Sequence, residues 1–182
     1  MQQSFDLYFA SSNIHKFREA KKILNNFGIK IGFFKCQLEE IQSDSLIEIA
    51  KHKALQAFLK CKKPVIVEDD GLFIESLKGF PGPYSSYVFK TIGNEGILQL
   101  LKQQRNAKFI SVISFCDQKN KETFESELSG VISKKARGIG WGYDPIFIPI
   151  NQKKTFAKLE NKNELSHRFK SLKKFSSWYL GR

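Results

Sequence analysis

Apolar residues recur along this chain at two periods, and the switches between them mark out its elements. Phe5 to Ala10 is a short apolar run that predicts a first strand. After Ser11-Ser12-Asn13, the residues Phe17, Ala20, Ile23, Leu24 and Phe27 follow at helical spacing, with Gly28 placed to end the helix. Ile29 to Phe34 predicts a second strand. Ser45-Leu46-Ile47-Glu48 fits a capping box opening a helix to about Leu59, with Ile47, Ala50, Ala54, Ala57 and Phe58 as its apolar stripe. Lys51 and Lys53 fall off that stripe, which turns them toward solvent or a ligand cleft.

Val65 to Val67, bounded by Pro64 and Gly71, predicts a buried strand that ends in three carboxylates, Glu68, Asp69 and Asp70. Two prolines flank a glycine in Phe80 to Tyr84, a rigid turn or irregular loop. Asn94 is placed to cap a short helix that turns Ile97, Leu98 and Leu101 inward. Phe109 to Cys116 and Thr123 to Leu128 predict a hairpin across the polar turn Asp117 to Lys121, and Ile146 to Ile148 a further strand. Leu165, Phe169, Leu172, Phe175 and Tyr179 then form a helical stripe to the C-terminus. The chain thus mixes α/β units with an antiparallel portion.

Composition narrows the class. At 182 residues the chain has the size of a single folding unit, and 41% hydrophobic content with 17 Phe is enough for a core. No apolar run approaches a membrane span, and Met1 to Ser4 lead into the first strand without a signal-peptide pattern, so a soluble, cytoplasmic protein is expected. Cys36, Cys61 and Cys116 are widely spaced, which predicts reduced structural thiols, and His15, His52 and His167 lack the spacing of zinc ligands. The net charge is +12, and +7 of it lies from Asn151 onward, where nine Lys and Arg face two Glu. Such a field attracts polyanions, either nucleic acid or small phosphorylated ligands.

Candidate chemistry clusters in a few stretches. Consecutive strand residues face opposite ways, so Glu68 and Asp70 would share a face while Asp69 takes the other. Carboxylates this close need a positive partner, and Mg²⁺ is one candidate; a solvated acidic turn is the plain alternative. The Ser11 to Asn13 loop presents hydroxyls and backbone N–H groups at a helix N-terminus, a place that favours anions, with Lys16 one turn on; a simple N-cap is the competing explanation. Gly138, Gly140 and Gly142 alternate with Ile139, Trp141 and Tyr143, which allows close backbone approach and offers aromatic faces to a base. Ser166-His167-Arg168 reads more readily as helix surface than as a site.

Taken in order, these stretches resemble the inosine triphosphate pyrophosphatase family. The resemblance rests on Ser11-x-Asn13-x-x-Lys16, then Glu68-Asp69-x-Gly71-Leu72 with Gly79-x-Pro81-Gly82-x-Tyr84-Ser85, then Gly140-x-Gly142-Tyr143-Asp144-Pro145-Ile146-Phe147, Thr155-Phe156-Ala157 and Ser166-His167-Arg168. It implies Mg²⁺-dependent hydrolysis of non-standard purine nucleoside triphosphates (ITP, dITP and XTP) to the monophosphate and pyrophosphate. It also implies an elongated mixed sheet flanked by helices, two lobes with a substrate cleft between them, and a homodimer. By position, Ser11, Ser12, Asn13, Lys16 and Lys53 would bind phosphates. Glu40, Glu68 and Asp69 would hold Mg²⁺, with Asp69 as the catalytic base. Asp70, Trp141, Gly142, Tyr143, Asp144, Lys162, His167 and Arg168 would bind the nucleotide and its base.

This chain departs from the family pattern at Asp70, where a small or hydroxylated residue is usual, and at Lys158, where a glutamate is common. Two other functions stand beside the leading one. A basic nucleic-acid-binding protein without hydrolase activity would account for the charge, and a related pyrophosphatase with a different base preference would account for Asp70.

Overall fold

The computed structural model describes residues 5–182. The expectation for Met1 to Ser4 lies outside the described residues. The first elements follow the apolar pattern closely: strand β1 Leu7–Ser11, helix α1 Ile14–Asn25, strand β2 Ile31–Lys35 and helix α2 Leu46–Cys61. Asn13 caps α1, accepting from the amides of His15 and Lys16. The predicted box at α2 forms by half: Ser45 accepts from Glu48 N at 3.3 Å, but the Glu48 carboxylate takes the Ser43 hydroxyl at 2.7 Å instead of reaching the Ser45 amide.

The buried stripe of α2 is Leu46, Ile49, Ala50, Lys53, Ala54 and Ala57. Lys53 therefore lies on the inward face, contrary to the expectation, while Lys51 is exposed. A lysine at a core-facing position needs a partner for its ammonium group, and Lys53 has two.

Strand β3 runs Val65–Ile74, so Glu68, Asp69 and Asp70 lie inside a strand and do not end one. Two-residue strand β4 Pro81–Gly82 pairs antiparallel with β3, placing Leu72 opposite Gly82. Helix α3 Ser85–Thr91, which no periodicity announced, precedes α4 Gly93–Leu100. Asn94 is inside α4 and does not cap it; its side-chain amide donates to Gly142 O at 3.1 Å. Strands β5 Asn106–Cys116 and β6 Lys121–Ile132 form the expected hairpin, longer than the sequence suggested. Strand β7 Phe147–Pro149, short helix α5 Lys162–Leu165 and α6 His167–Leu180 complete the chain. The C-terminal helical stripe is thus broken at Ser166.

Among the described residues seven strands form one mixed sheet, in the order β2-β1-β3-β5-β6-β7 with β4 on β3. β1 is parallel to both β2 and β3, and β6 is antiparallel to β7. The fold is the expected mixed α/β type, with helices flanking the sheet.

The chain divides into two compact units. The first comprises the chain up to Asp69, Ser111–Ser126 and Arg168–Arg182; the second comprises Asp70–Ile110 and Glu127–His167. The first is built on Leu7, Phe9, Ile23, Leu24, Ile66, Phe115 and Phe175, with a smaller cluster that includes Ala54, Ala57 and Val67. The second is built on Leu72, Ile97, Phe109, Leu128, Phe147 and Phe156. Cys36, Cys61 and Cys116 are free thiols, and burial raises the pKa of each. Among the described residues no helix is long and apolar enough to cross a membrane.

Candidate active site

In the first unit, β1 ends at Ser11 and the chain turns directly into α1. Ser11 Oγ accepts from Asn13 N at 3.0 Å, and Asn13 Oδ1 accepts from His15 N at 2.9 Å and Lys16 N at 3.4 Å. The N-cap foreseen as the plain explanation is present, and it holds Ser11, exposed Ser12 and half-buried Lys16 around the positive end of a 12-residue helix.

Lys53 reaches from the buried face of α2 to two carboxylates. Its Nζ lies 2.5 Å from Glu40 Oε1, in the loop before α2, and 2.6 Å from Asp69 Oδ2, in β3. The Lys53 and Asp69 side chains are 11% and 10% exposed, whereas that of Glu40 is 66% exposed. Glu40 and Asp69 thus aim oxygens from two separate elements at one cationic point. Hard, oxygen-only donors of this kind suit Mg²⁺, which takes one or two carboxylates and completes its shell with water and phosphate oxygens. Among the described residues no group of three or more His, Cys, Asp and Glu is gathered to hold a metal, so Glu68, expected as a third ligand, does not join that pair.

Glu68, one residue earlier, faces the other side of β3. Its Oε2 accepts from Arg168 Nε at 2.7 Å and its Oε1 from Ser111 Oγ at 2.8 Å; the Ser111 hydroxyl also meets Ser171 Oγ at 2.8 Å. Arg168 Nη1 pairs in addition with Glu19 of α1. Arg168 is 1% exposed, so its charge is matched by carboxylates within the protein.

In the second unit, the ring of His167 stacks on Phe109, with centroids 4.5 Å apart and planes 8° from parallel. His167 Nε2 lies 3.8 Å from Asp70 Oδ2. The triplet Ser166-His167-Arg168 is fully buried, which corrects its reading as helix surface. In the glycine-rich loop, Gly142 adopts φ +60, a conformation that side chains disfavour. Lys162 Nζ bonds Asp144 Oδ2 at 2.7 Å and lies 5.2 Å from the centre of the Trp141 ring, a cation–π distance. Tyr143 does not offer an open face: it is 5% exposed, packs edge-on to Phe89, and donates its hydroxyl to Ser85 O at 2.9 Å. Burial pushes its pKa well above the ordinary phenol value.

The site residues read from the sequence therefore fall into two sets. Ser11, Ser12, Asn13, Lys16, Glu40, Lys53, Glu68, Asp69 and Arg168 belong to the first unit; Asp70, Trp141, Gly142, Tyr143, Asp144, Lys162 and His167 belong to the second. A cavity of 890 Å³ in the second unit, bordered by Phe73, Lys78, Lys108, Glu127, Val131 and Ile150, contains none of them.

The Ham1 family profile matches residues 7–178. The chain belongs to the Ham1 family. A dITP/XTP pyrophosphatase from Methanopyrus kandleri is 51% identical over 177 residues, covering 94% of each chain. Another from Hyperthermus butylicus is 45% identical over 94% of this chain and 93% of its own. The structure of a HAM1 protein from Coxiella burnetii superposes with a TM-score of 0.83 at 26% identity, over 98% of this chain and 100% of that one.

Within this Ham1 chain, the sequence reading missed Glu19, Ser111 and Ser171. Glu19 lies three residues beyond Lys16 on α1, a spacing that puts both on one helix face, and that was the available signal. Ser111 sits in the apolar run Phe109 to Phe115 and Ser171 in the lysine-rich part of α6, and in neither place does a serine carry a signal of its own.

Proposed function

We propose that this Ham1 protein hydrolyses dITP, ITP and XTP to the nucleoside monophosphate and pyrophosphate, with Mg²⁺ as cofactor, and so clears non-standard purine nucleotides from the pool. In this reading it is a nucleoside triphosphate pyrophosphatase, a hydrolase of phosphoric anhydride bonds. Residues 1–182 act as one domain, working in the cytoplasm as a homodimer. The observation that carries the reading is the Glu40–Lys53–Asp69 cluster, in a chain 51% identical to a dITP/XTP pyrophosphatase.

A triphosphate brings several negative charges that must be matched. Lys16 and Lys53 supply ammonium groups, and Ser11, Ser12 and Asn13 supply hydroxyl, amide and backbone donors at the start of α1. Glu40 and Asp69 are the residues that would hold Mg²⁺; Glu68, expected as a third, has both oxygens engaged by Arg168 and Ser111. Bound there, the ion would draw charge from the phosphate oxygens as they are attacked. Asp69 is the base: fixed in place by its position within β3, it accepts the proton of the attacking water, and the α–β phosphoanhydride bond breaks.

Base choice falls to Asp70, Trp141, Gly142, Tyr143, Asp144, Lys162, His167 and Arg168. Lys162 has only donors to offer, which matches the O6 and N7 acceptors of 6-keto purines and mismatches the N6 donor of adenine. A mismatch of this kind costs about 1–3 kcal/mol. Trp141 supplies the aromatic face, and Phe109 holds the His167 ring in plane.

The test is a substrate panel with and without Mg²⁺. Pyrophosphate released from dITP and XTP, with ATP and GTP much slower, is the expected result. Release of orthophosphate, or equal turnover of ATP, overturns the reading.

A further inference from the structure

We propose that Lys53 is the resident cation of the Glu40–Asp69 site. It fills that point in the substrate-free protein, and yields it to a divalent ion only when a triphosphate is present to receive the ammonium group. The inference rests on the functional reading above and goes beyond it, because it makes metal and nucleotide binding mutually dependent through one side chain.

The geometry points this way for three reasons. First, the ammonium is not a loose surface pair: Lys53 stands on the buried stripe of α2 and its side chain is 11% exposed. Its charge is held 2.5 Å from Glu40 Oε1 and 2.6 Å from Asp69 Oδ2. Second, those are the oxygens a divalent ion would need. An ammonium and a doubly charged ion cannot share a pair of carboxylate oxygens, since at so short a distance their repulsion exceeds that of two single charges. Third, a displaced ammonium in a buried place must find new acceptors or remain uncompensated. The lysine stem is flexible and its three donors turn freely. A triphosphate offers several acceptor oxygens, whereas the divalent ion by itself offers none. Metal entry without nucleotide therefore strands Lys53, and metal entry with nucleotide does not. By linkage the dependence runs equally in both directions.

The experiment measures Mn²⁺ binding by calorimetry, and by the paramagnetic resonance of free Mn²⁺, in the absence of nucleotide. Removing the ammonium should tighten binding, so Lys53→Met is expected to bind Mn²⁺ roughly tenfold or more tightly than the natural protein. Lys53→Gln serves in the same way if the Met variant fails to fold. In the natural protein, after allowance for Mn²⁺ complexed in solution, a non-hydrolysable α,β-methylene dITP should tighten Mn²⁺ binding by a similar factor, and this coupling should vanish in the variant. Asp69-dependent binding that is no tighter in Lys53→Met than in the natural protein overturns the proposal and leaves the functional reading standing. Absence of coupling in the natural protein also overturns it. Undiminished Mn²⁺ binding in the Lys53→Met, Asp69→Asn double variant overturns both, because the ion would then lie elsewhere.

Discussion

Glu68 and Asp69 are consecutive in β3, yet their carboxylates answer to different cations: Arg168 Nε lies 2.7 Å from Glu68 Oε2, and Lys53 Nζ lies 2.6 Å from Asp69 Oδ2. The same chemical change at the two positions should therefore give opposite phenotypes. Asp69→Asn keeps an acceptor for Lys53 and removes the proposed base, so turnover of dITP should fall by about 10²-fold or more while the urea midpoint changes little. Glu68→Gln also keeps an acceptor, but there both side chains are buried and only Glu19 remains as counter-charge, whereas Lys53 keeps the exposed Glu40; it should destabilise the protein by about 1–3 kcal/mol. Denaturation curves and initial rates on both variants check this. Near-normal turnover of Asp69→Asn would remove Asp69 from the role of base.

Gly71 of β3 lies against Gly82 of β4. A Cβ there would stand 2.4 Å from Gly82 O, a backbone atom that cannot swing away. Gly71→Ala should destabilise by about 1–3 kcal/mol through overpacking. Urea denaturation measures it, and an unchanged midpoint would mean that β4 is not seated as described.

Asp70 stands where a small or hydroxylated residue is usual in the family, with its Oδ2 3.8 Å from His167 Nε2. Xanthine carries one more keto oxygen than hypoxanthine, and a nearby carboxylate repels it. Asp70→Ser should raise kcat/KM for XTP relative to dITP, by roughly two- to fivefold for one partly screened charge. Paired rate measurements at one salt concentration decide the matter; an unchanged ratio would take Asp70 out of the base-binding set.

Asp117 closes the β5–β6 turn. Burial tends to raise its pKa, but hydrogen bonds from Lys119 N, from the Asn120 backbone and side chain, and from Arg182 outweigh that and bring it below the ordinary carboxylate value. A depressed folded-state pKa stabilises the native state above the unfolded carboxyl's pKa, and the contribution is lost as pH falls through the folded value. Asp117→Asn should therefore destabilise by about 0.5–1 kcal/mol at neutral pH, since the group is partly screened by solvent. The gap from the natural protein should narrow toward about pH 3. Denaturation at the two pH values tests the sign: a gap that widened in acid would contradict it.

Elements whose burial comes from apolar residues were readable, and those whose burial comes from paired charge were not. The helix α1 and the β5–β6 hairpin follow from spacing, because oil against oil needs no partner to be identified. The length of β3 does not, since Glu68, Asp69 and Asp70 interrupt the apolar run and read as its end. They continue the strand because α2 contributes Lys53 to Asp69 and α6 contributes Arg168 to Glu68. For the same reason Lys53 and Arg168 look like surface cations in a linear chain, and each is buried against carboxylates distant in sequence. Asn94 misled in another way: an Asn near a helix start suggests a cap, and here its amide holds the glycine-rich loop at Gly142 O.

The alternation along β3 has a consequence for how the chain can vary in length. Leu72 N is tied to Ser85 Oγ at 2.8 Å, and a residue with a Cβ does not fit at Gly71, so the downstream end of the strand is pinned in register. Insertion of one residue between Asp69 and Gly71 would reverse the parity of the acidic pair. Either Val65 and Ile66 would lose their register against β1, or the extra residue would bulge out and spoil one of the two charge pairs. A one-residue insertion here should therefore cost more than a substitution at the same place.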